Sequence, residues 1–345
     1  MSQSETLSPK INKMGVRPVF PLLMSMAFPP MISMLIQSLY NIVDGMYVAQ
    51  YSQDALTAVS LAFPIQNLIL AVAVGAGVGV NSYIARKLGE GNRAAADNAV
   101  AHGLLLCFLH TLLFIVLSFF CIEPFFHLFT SSEEIFTMGC EYTEIVTLFC
   151  FGTIFHIMIE KILQATGKMV YPMILQAVGA IVNIILDPVF IFGYWGLPSM
   201  GVRGAAIATI IGQITSMLLS FAVLFTQKHE VSLDLKRFRF SPALVRNIYS
   251  VGFPSILMTA LSSVLVMGLN AILVRFSNLA VSVFGIYIKV QTFVLMPVSG
   301  LTQGDMPIMA YNYGAKNRKR LLSALRYGML VSAGIMLFGT LLFCV

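Results

Sequence analysis

Asn183-Ile-Ile-Leu-Asp187-Pro188 is the stretch on which the reading of this chain turns. It lies inside an apolar run, residues 170–192, that holds no other charged residue. About 20 such residues suffice for one helical membrane crossing. A carboxylate at that depth costs about 2.5–3.5 kcal/mol on insertion scales, so it normally faces a cavity or a partner. Asn183 and Asp187 are four apart and share one helix face. Pro188 has no N–H to give, which leaves the carbonyl of Ile184 without its helical partner. An amide, a carboxylate and a freed carbonyl within one turn make the oxygen-rich chemistry of a cation or proton site. A buried Asp–Asn pair that merely packs two helices is the other reading of these residues.

The composition sets the fold class. Of 345 residues, 58% are hydrophobic and 10% charged, and the mean hydropathy is +0.85. Soluble domains carry about 25% charged residues, so the chain reads as an all-α integral membrane protein. Its apolar runs do not alternate as barrel strands do. The net charge of +6 sits in short loops, where it sets orientation rather than binding nucleic acid. Cys107, Cys121, Cys140, Cys150 and Cys344 show no CxxC spacing, and the histidines form neither HxxxH nor HExxH. No metal site is expected beyond Na⁺ at the acidic residues, and no cofactor other than a coupling ion. Without HExxH, GxSxG or a paired acidic transferase motif, an enzyme is not expected.

Nine apolar segments can be placed, near 18–43, 54–84, 98–121, 135–159, 169–193, 203–226, 243–272, 279–309 and 322–345. If the N-terminus is cytoplasmic, eighteen lysines and arginines fall inside, Lys161 and Lys168 among them, against Arg203 and Arg275 outside. That asymmetry orients the chain and places it in the cell membrane as a multi-pass protein. Residues 1–17 form a cytoplasmic tail, 18–226 a six-helix lobe, 227–242 a basic linker, and 243–345 part of a second lobe.

Sliding the chain by 225 residues aligns Phe28-Pro29 with Phe253-Pro254, Gln66 with Gln291, and Gly75 with Gly300. The same shift aligns Gly79 with Gly304, Gly89 with Gly314, and Asn92-Arg93 with Asn317-Arg318. An even number of spans separates the copies, so the repeat is parallel, with its axis along the membrane normal. The counterparts of the first lobe's last three helices fall beyond Val345. The second lobe is therefore expected to stop after its third helix.

Gln37, Tyr40 and Asp44 follow i, i+3, i+7 spacing and share a face of the first segment, with Asn41 beside them. Asp44 sits at a depth similar to Asp187, though it also reads as a residue of the outer interface. Two carboxylates with Asn and Tyr nearby bind Na⁺ through oxygen, or exchange a proton through mutual repulsion and desolvation. Thr209 can add a hydroxyl, while Gly204, Ala205, Ala206 and Ala208 read as close-packing residues. Lys289 reads either as a functional cation of a central cleft or as a side chain reaching for the interface. Gln291, two residues on, is a further cleft candidate. Asp305, near the inner end of the same segment, reads as solvated. His102 and His110 read as packing or polar lining.

Several stretches together resemble the multidrug and toxic compound extrusion (MATE) family. They are Gln37-x-x-Tyr40-Asn41-x-x-Asp44, Ala165-Thr-Gly167-Lys168, Asn183-x-x-x-Asp187-Pro188 and Gly201-Val-x-Gly204-Ala-Ala-Ile-Ala-Thr209. Gly300-x-x-Gln303-Gly304-x-x-Pro307-Ile308 and Tyr311-Asn-Tyr-Gly314-Ala-Lys-Asn317 complete the set. The resemblance covers essentially all of 18–345. It implies twelve helices in two six-helix lobes, a monomer when full length, and cation-coupled export of small amphiphilic, often cationic, compounds. It also implies that Asp44, Asn183, Asp187 and Thr209 form a cation or proton site, with Tyr40 and Gln37 beside it. Asp305 departs from the family pattern. A flippase of lipid-linked saccharides is a second reading, but the deep cation Lys289 stands against two deep carboxylates. A fragment that inserts and binds its ion without exporting is a third.

Overall fold

The computed structural model describes residues 12–227, 229–233, 238–273, 275, 276 and 278–344. Its described residues form helices joined by short turns: α1 (Lys13–Val16), α2 (Val19–Tyr51), α3 (Gln53–Gly89), α4 (Arg93–Phe129), α5 (Glu133–Leu148), α6 (Phe151–Ala165), α7 (Val170–Phe192), α8 (Val202–Thr226), α9 (Pro242–Leu273), α10 (Asn278–Gly314) and α11 (Arg318–Cys344). Among the described residues, seven are long and apolar enough to cross a membrane, or eight if α5 and α6, bent by 46° at a short break, count as one span. The segment expected at 135–159 is thus a bent pair. The break falls at Phe149–Cys150, and α6 runs on to Ala165.

Local sequence explains the helix ends. Ser52 accepts from Ala55 N, Asn92 from Ala95 N, and Ser132 from Ile135 N, each satisfying an otherwise unpaired first-turn donor. Asp54, Glu133 and Glu134 occupy first turns, while Arg86 and Lys87 lie in the last turn of α3. Those placements suit the helix dipole.

Glycines set how closely the helices approach, and their contacts recur at positions 225 apart. A methyl at Gly89 on α3 would overlap the carbonyl oxygen of Tyr311 on α10, and one at Gly314 would overlap that of Arg86. Gly75 and Gly79 of α3 lie against Gly252, Ile256 and Ile248 of α9, while Gly300 and Gly304 of α10 lie against Met31 and Ala27 of α2. The turns match too: Asn92 N–H reaches Lys87 O, and Asn317 N–H reaches Asn312 O. α3 therefore packs on α9, and α10 on α2. α2 is divided accordingly. Its first half lies on α10 and its second half on α7, with Pro29 and Pro30 at the changeover.

The ends of the bundle differ. At the basic end, α1 is wedged between α2 and α10. Met14 is fully buried in a cluster with Leu22, Leu23, Met26, Leu301 and Ile308. Lys13 donates to Gly167 O (2.6 Å), Asn12 to Glu230, and Asn312 Nδ2 to Met14 O (3.1 Å). Arg320 donates to the carbonyls of Met14 and Arg17. Burial lowers the Lys13 ammonium below its ordinary range and raises the Glu230 carboxyl above its own. The linker is strapped along α4: Asp97 accepts from Ser232 N, and Asn98 exchanges two bonds with the Arg239 backbone. Ser241 N donates to His102 Nε2, so Nδ1 holds the ring proton and donates to Asn98 O. His102 is a linker anchor, capped by the rings of Phe238 and Phe240.

Candidate cation site

Two glycines bring α7 and α8 close enough to share a polar cluster. A methyl at Gly179 would overlap Ser216 Oγ, and one at Gly212 would fall 3.1 Å from Asn183 Cβ. Gly204, buried with Ala205, Ala206 and Ala208, lies against the backbone of Phe190. Gly193 ends α7 in the left-handed conformation (φ 79°), which a glycine adopts without penalty. The following turn sets Gly201 beneath the ring of Tyr51, and this fixes the far half of α2 against α7.

That packing assembles the acidic residues. Asp187 is completely buried and Asn183 nearly so. Asn183 Nδ2 lies 3.2 Å from Asp187 Oδ1 and 3.5 Å from Thr209 Oγ1. From α2, the half-buried Asp44 brings its carboxyl into side-chain contact with that of Asp187. Two carboxyls in such contact need a shared proton or a cation between them, because like charges at that distance do not both persist. Asp44 Oδ1, Asp187 Oδ2 and Asn183 Oδ1 are shut off from solvent and meet no donor among the described residues. Buried acceptors are normally paired. Three unpaired ones in one cluster can accept a proton or a small cation.

The structure therefore brings together Asp44, Asn183, Asp187 and Thr209, with Tyr40 within electrostatic reach of both carboxylates. Gln37 and Gln291 are half-buried, and Asn41 stands on the exposed side of α2, off the Gln37–Tyr40–Asp44 face. The side chain of Lys289 lies outside the described residues. Two participants were not singled out for the site from sequence. Tyr142 of α5 sits within electrostatic reach of both carboxylates, and its hydroxyl accepts from Gln66 Nε2 at 3.0 Å. Accepting from Gln66 leaves the Tyr142 proton free to be donated. The signal present was a tyrosine and a glutamine inside apolar segments.

A second polar network corrects the placement of Lys161. Expected among loop charges, it is 4% exposed within α6. Its ammonium donates to Glu160 (3.1 Å), Gln164 (3.0 Å) and Gln303 of α10 (2.5 Å). Asn81 Nδ2 donates to its carbonyl, and Gly77 leaves room for its stem. Asp305 is also corrected: it is 5% exposed, not solvated.

Comparison with known proteins bears on this arrangement. The MatE family model matches residues 29–189 and 254–345, two stretches whose starts are 225 residues apart. The chain is 28% identical over 337 residues to an FAD transporter of Shewanella oneidensis, covering 94% of this chain and 72% of that protein. It is 28% identical over 302 residues to multidrug export protein MepA of Staphylococcus saprophyticus, where it spans 65% of the relative's length and the match covers 86% of this chain. A solved outward-facing conformation of a multidrug resistance MATE family transporter of the MOP superfamily superposes with a TM-score of 0.88. That match has 27% identity and covers 94% of this chain and 72% of the other. On the strength of the family match across most of its length, the chain belongs to the MatE family of multi-pass membrane transporters and is not an enzyme.

Proposed function

We propose that the chain acts in the cell membrane as a secondary antiporter, exporting small amphiphilic organic cations in exchange for H⁺ or Na⁺. The observation that carries this reading is the meeting of Asp44 and Asp187, with three buried acceptor oxygens there and no donor to them among the described residues. A loaded site holds α2 against α7; an empty one drives the two carboxylates apart. Because α2 also lies on α10, the force at the cation site bears on the contact between the copies. In this reading the copies are two lobes around a central cleft. α2 to α8 supply six spans, with α5 and α6 as one, and α9 to α11 supply three. The lobes rock to alternate access. The described contacts between copies gather toward the basic end, which favours an outward-open state, and the chain works as a monomer surrounded by lipid.

The test is gradient-driven efflux from cells or proteoliposomes. An imposed H⁺ or Na⁺ gradient is expected to expel a cationic dye from wild type, and failure with every cationic dye under both gradients defeats the reading. Flavin adenine dinucleotide belongs in the same panel because the Shewanella relative is an FAD transporter. Its export in place of the dyes would move the substrate class to anions.

Orientation is tested separately. With native cysteines replaced, Ala94→Cys at the basic end is expected to resist an impermeant thiol reagent on intact cells, while Leu197→Cys reacts. The reverse pattern would invert the topology. Lys161→Met tests the tie between copies. Glu160 is mostly buried, at 13% side-chain exposure. Leaving it without its ammonium is expected to cost about 3 kcal/mol. Thermal unfolding in detergent should show that loss, and an unchanged midpoint would mean the tie contributes nothing.

A further inference from the structure

Asp305 lies outside the cation site and outside the Lys161 network. Its face of α10 includes Leu301 and Ile308, and the cluster around them is completed by Leu22, Met26, Ala27 and Ala324. It is 5% exposed, its Oδ1 is solvent-shielded, and among the described residues neither oxygen has a hydrogen-bond or ion-pair partner. A methyl at Gly328 of α11 would fall 2.5 Å from Asp305 Oδ2, so α11 closes directly over the carboxyl. The positions 225 earlier make the same contact without a charge: a methyl at Gly103 would fall 3.4 Å from both methyls of the fully buried Val80. Packing at this place is thus satisfied by valine, and it gives no reason for a carboxyl.

The charged groups on the surrounding elements are engaged elsewhere. On α1, Lys13 donates to Gly167 O. On α11, Arg320 donates to the carbonyls of Met14 and Arg17, and Arg326 is exposed. The α2 residues of this cluster are Leu22, Leu23, Met26 and Ala27, Ser25 beside them donates to Leu22 O, and α2 carries no charge before Asp44. On α10, Gln303 is turned to Lys161. A metal or alkali cation would need several oxygen ligands, and the described surroundings offer one carboxyl. A proton needs one oxygen.

We propose that Asp305 is a proton-carrying site of the second copy, separate from Asp44–Asp187. The proton binds one carboxylate oxygen, and the neutral acid fits the apolar crevice between α10 and α11. When the proton leaves, the carboxylate requires water. Water enters only if α11 lifts from α10 at Gly328, so proton loss is linked to opening of that contact. The site would take up a proton of its own in addition to any ion held at Asp44–Asp187.

The test uses the purified chain and dicyclohexylcarbodiimide, an apolar reagent that adds to protonated buried carboxyls, with adducts located by peptide mass mapping. An adduct on Asp305 is expected in acidic buffer, declining about tenfold per pH unit once the carboxyl ionises. It should persist in the Asp44→Asn/Asp187→Asn double variant, which separates this site from the proposed antiport site. Asp305→Val, which installs the side chain of the matching position, should insert and melt no earlier than wild type. No adduct at any pH would overturn the proposal. Protection by Na⁺ but not choline at fixed pH would overturn it in favour of an alkali cation. A Tm lowered in Asp305→Val and restored in Asp305→Asn would overturn it in favour of a structural hydrogen bond.

Discussion

Replacing Asp187 by asparagine is expected to abolish cation binding by the purified protein while leaving insertion and folding intact. The side chain is completely buried, and its Oδ2 meets no donor among the described residues. Asparagine has nearly the same shape and keeps an oxygen toward Asn183, so packing at α7 and α8 survives. What disappears is one of the two charges that hold a cation against Asp44. Losing a buried charged partner amounts to about 3 kcal/mol, which is about a hundredfold in affinity. Stabilisation by a bound ion grows with its concentration over Kd, so the variant should lose the thermal shift that Na⁺ or acid gives wild type. Gradient-driven efflux should vanish with it. Asn41→Ala, on the exposed side of α2, should change neither readout. A wild-type thermal shift in Asp187→Asn would remove Asp187 from the site.

The membrane class and the helix positions were legible because long apolar runs and charged turns follow from the bilayer itself. The acidic site was legible for a related reason. A carboxylate such as Asp187 inside an apolar run is costly, and its spacing from Asn183 fixes a shared face. Tyr142 and Gln66 were not legible as partners, because a polar side chain in an apolar segment does not say which helix it meets. Lys161 was misplaced because charge alone suggested a loop. Its burial depends on Gly77 opposite and on Gln303, 142 residues away. Asp305 went wrong in the same way. Nearness to the end of a segment suggested water, yet α11 folds back over it through Gly328. The break at Phe149–Cys150 had no proline to announce it, only Gly152 two residues on, whose N–H turns back to Phe149 O.

Gly89→Ala is expected to part α3 from α10 at the basic end. A methyl there would overlap the carbonyl oxygen of Tyr311, and the matching methyl at Gly314 would overlap that of Arg86. Both obstacles are backbone, so no side chain can rotate away and the helices α3 and α10 must separate. Overpacking of this kind typically costs about 1–3 kcal/mol. Alanine otherwise favours a helix over glycine by about 1 kcal/mol, so a net loss of stability would understate the clash. The comparison substitution is Gly334→Ala on α11, where nothing among the described residues lies within 4 Å and a small gain is expected. Met26→Cys reports the opening, because Met26 is fully buried at the contact of α2 with α10. Its labelling by a thiol reagent should rise in Gly89→Ala and stay low in Gly334→Ala. The Gly89→Ala/Gly314→Ala pair should fall short of additive, since both methyls force the same separation. Equal unfolding midpoints and equal labelling in the two single variants would mean that this glycine contact does not hold the basic end closed. The closure would then rest on α1 and the Lys161–Gln303 tie, and Lys161→Met, not Gly89→Ala, would expose Met26→Cys.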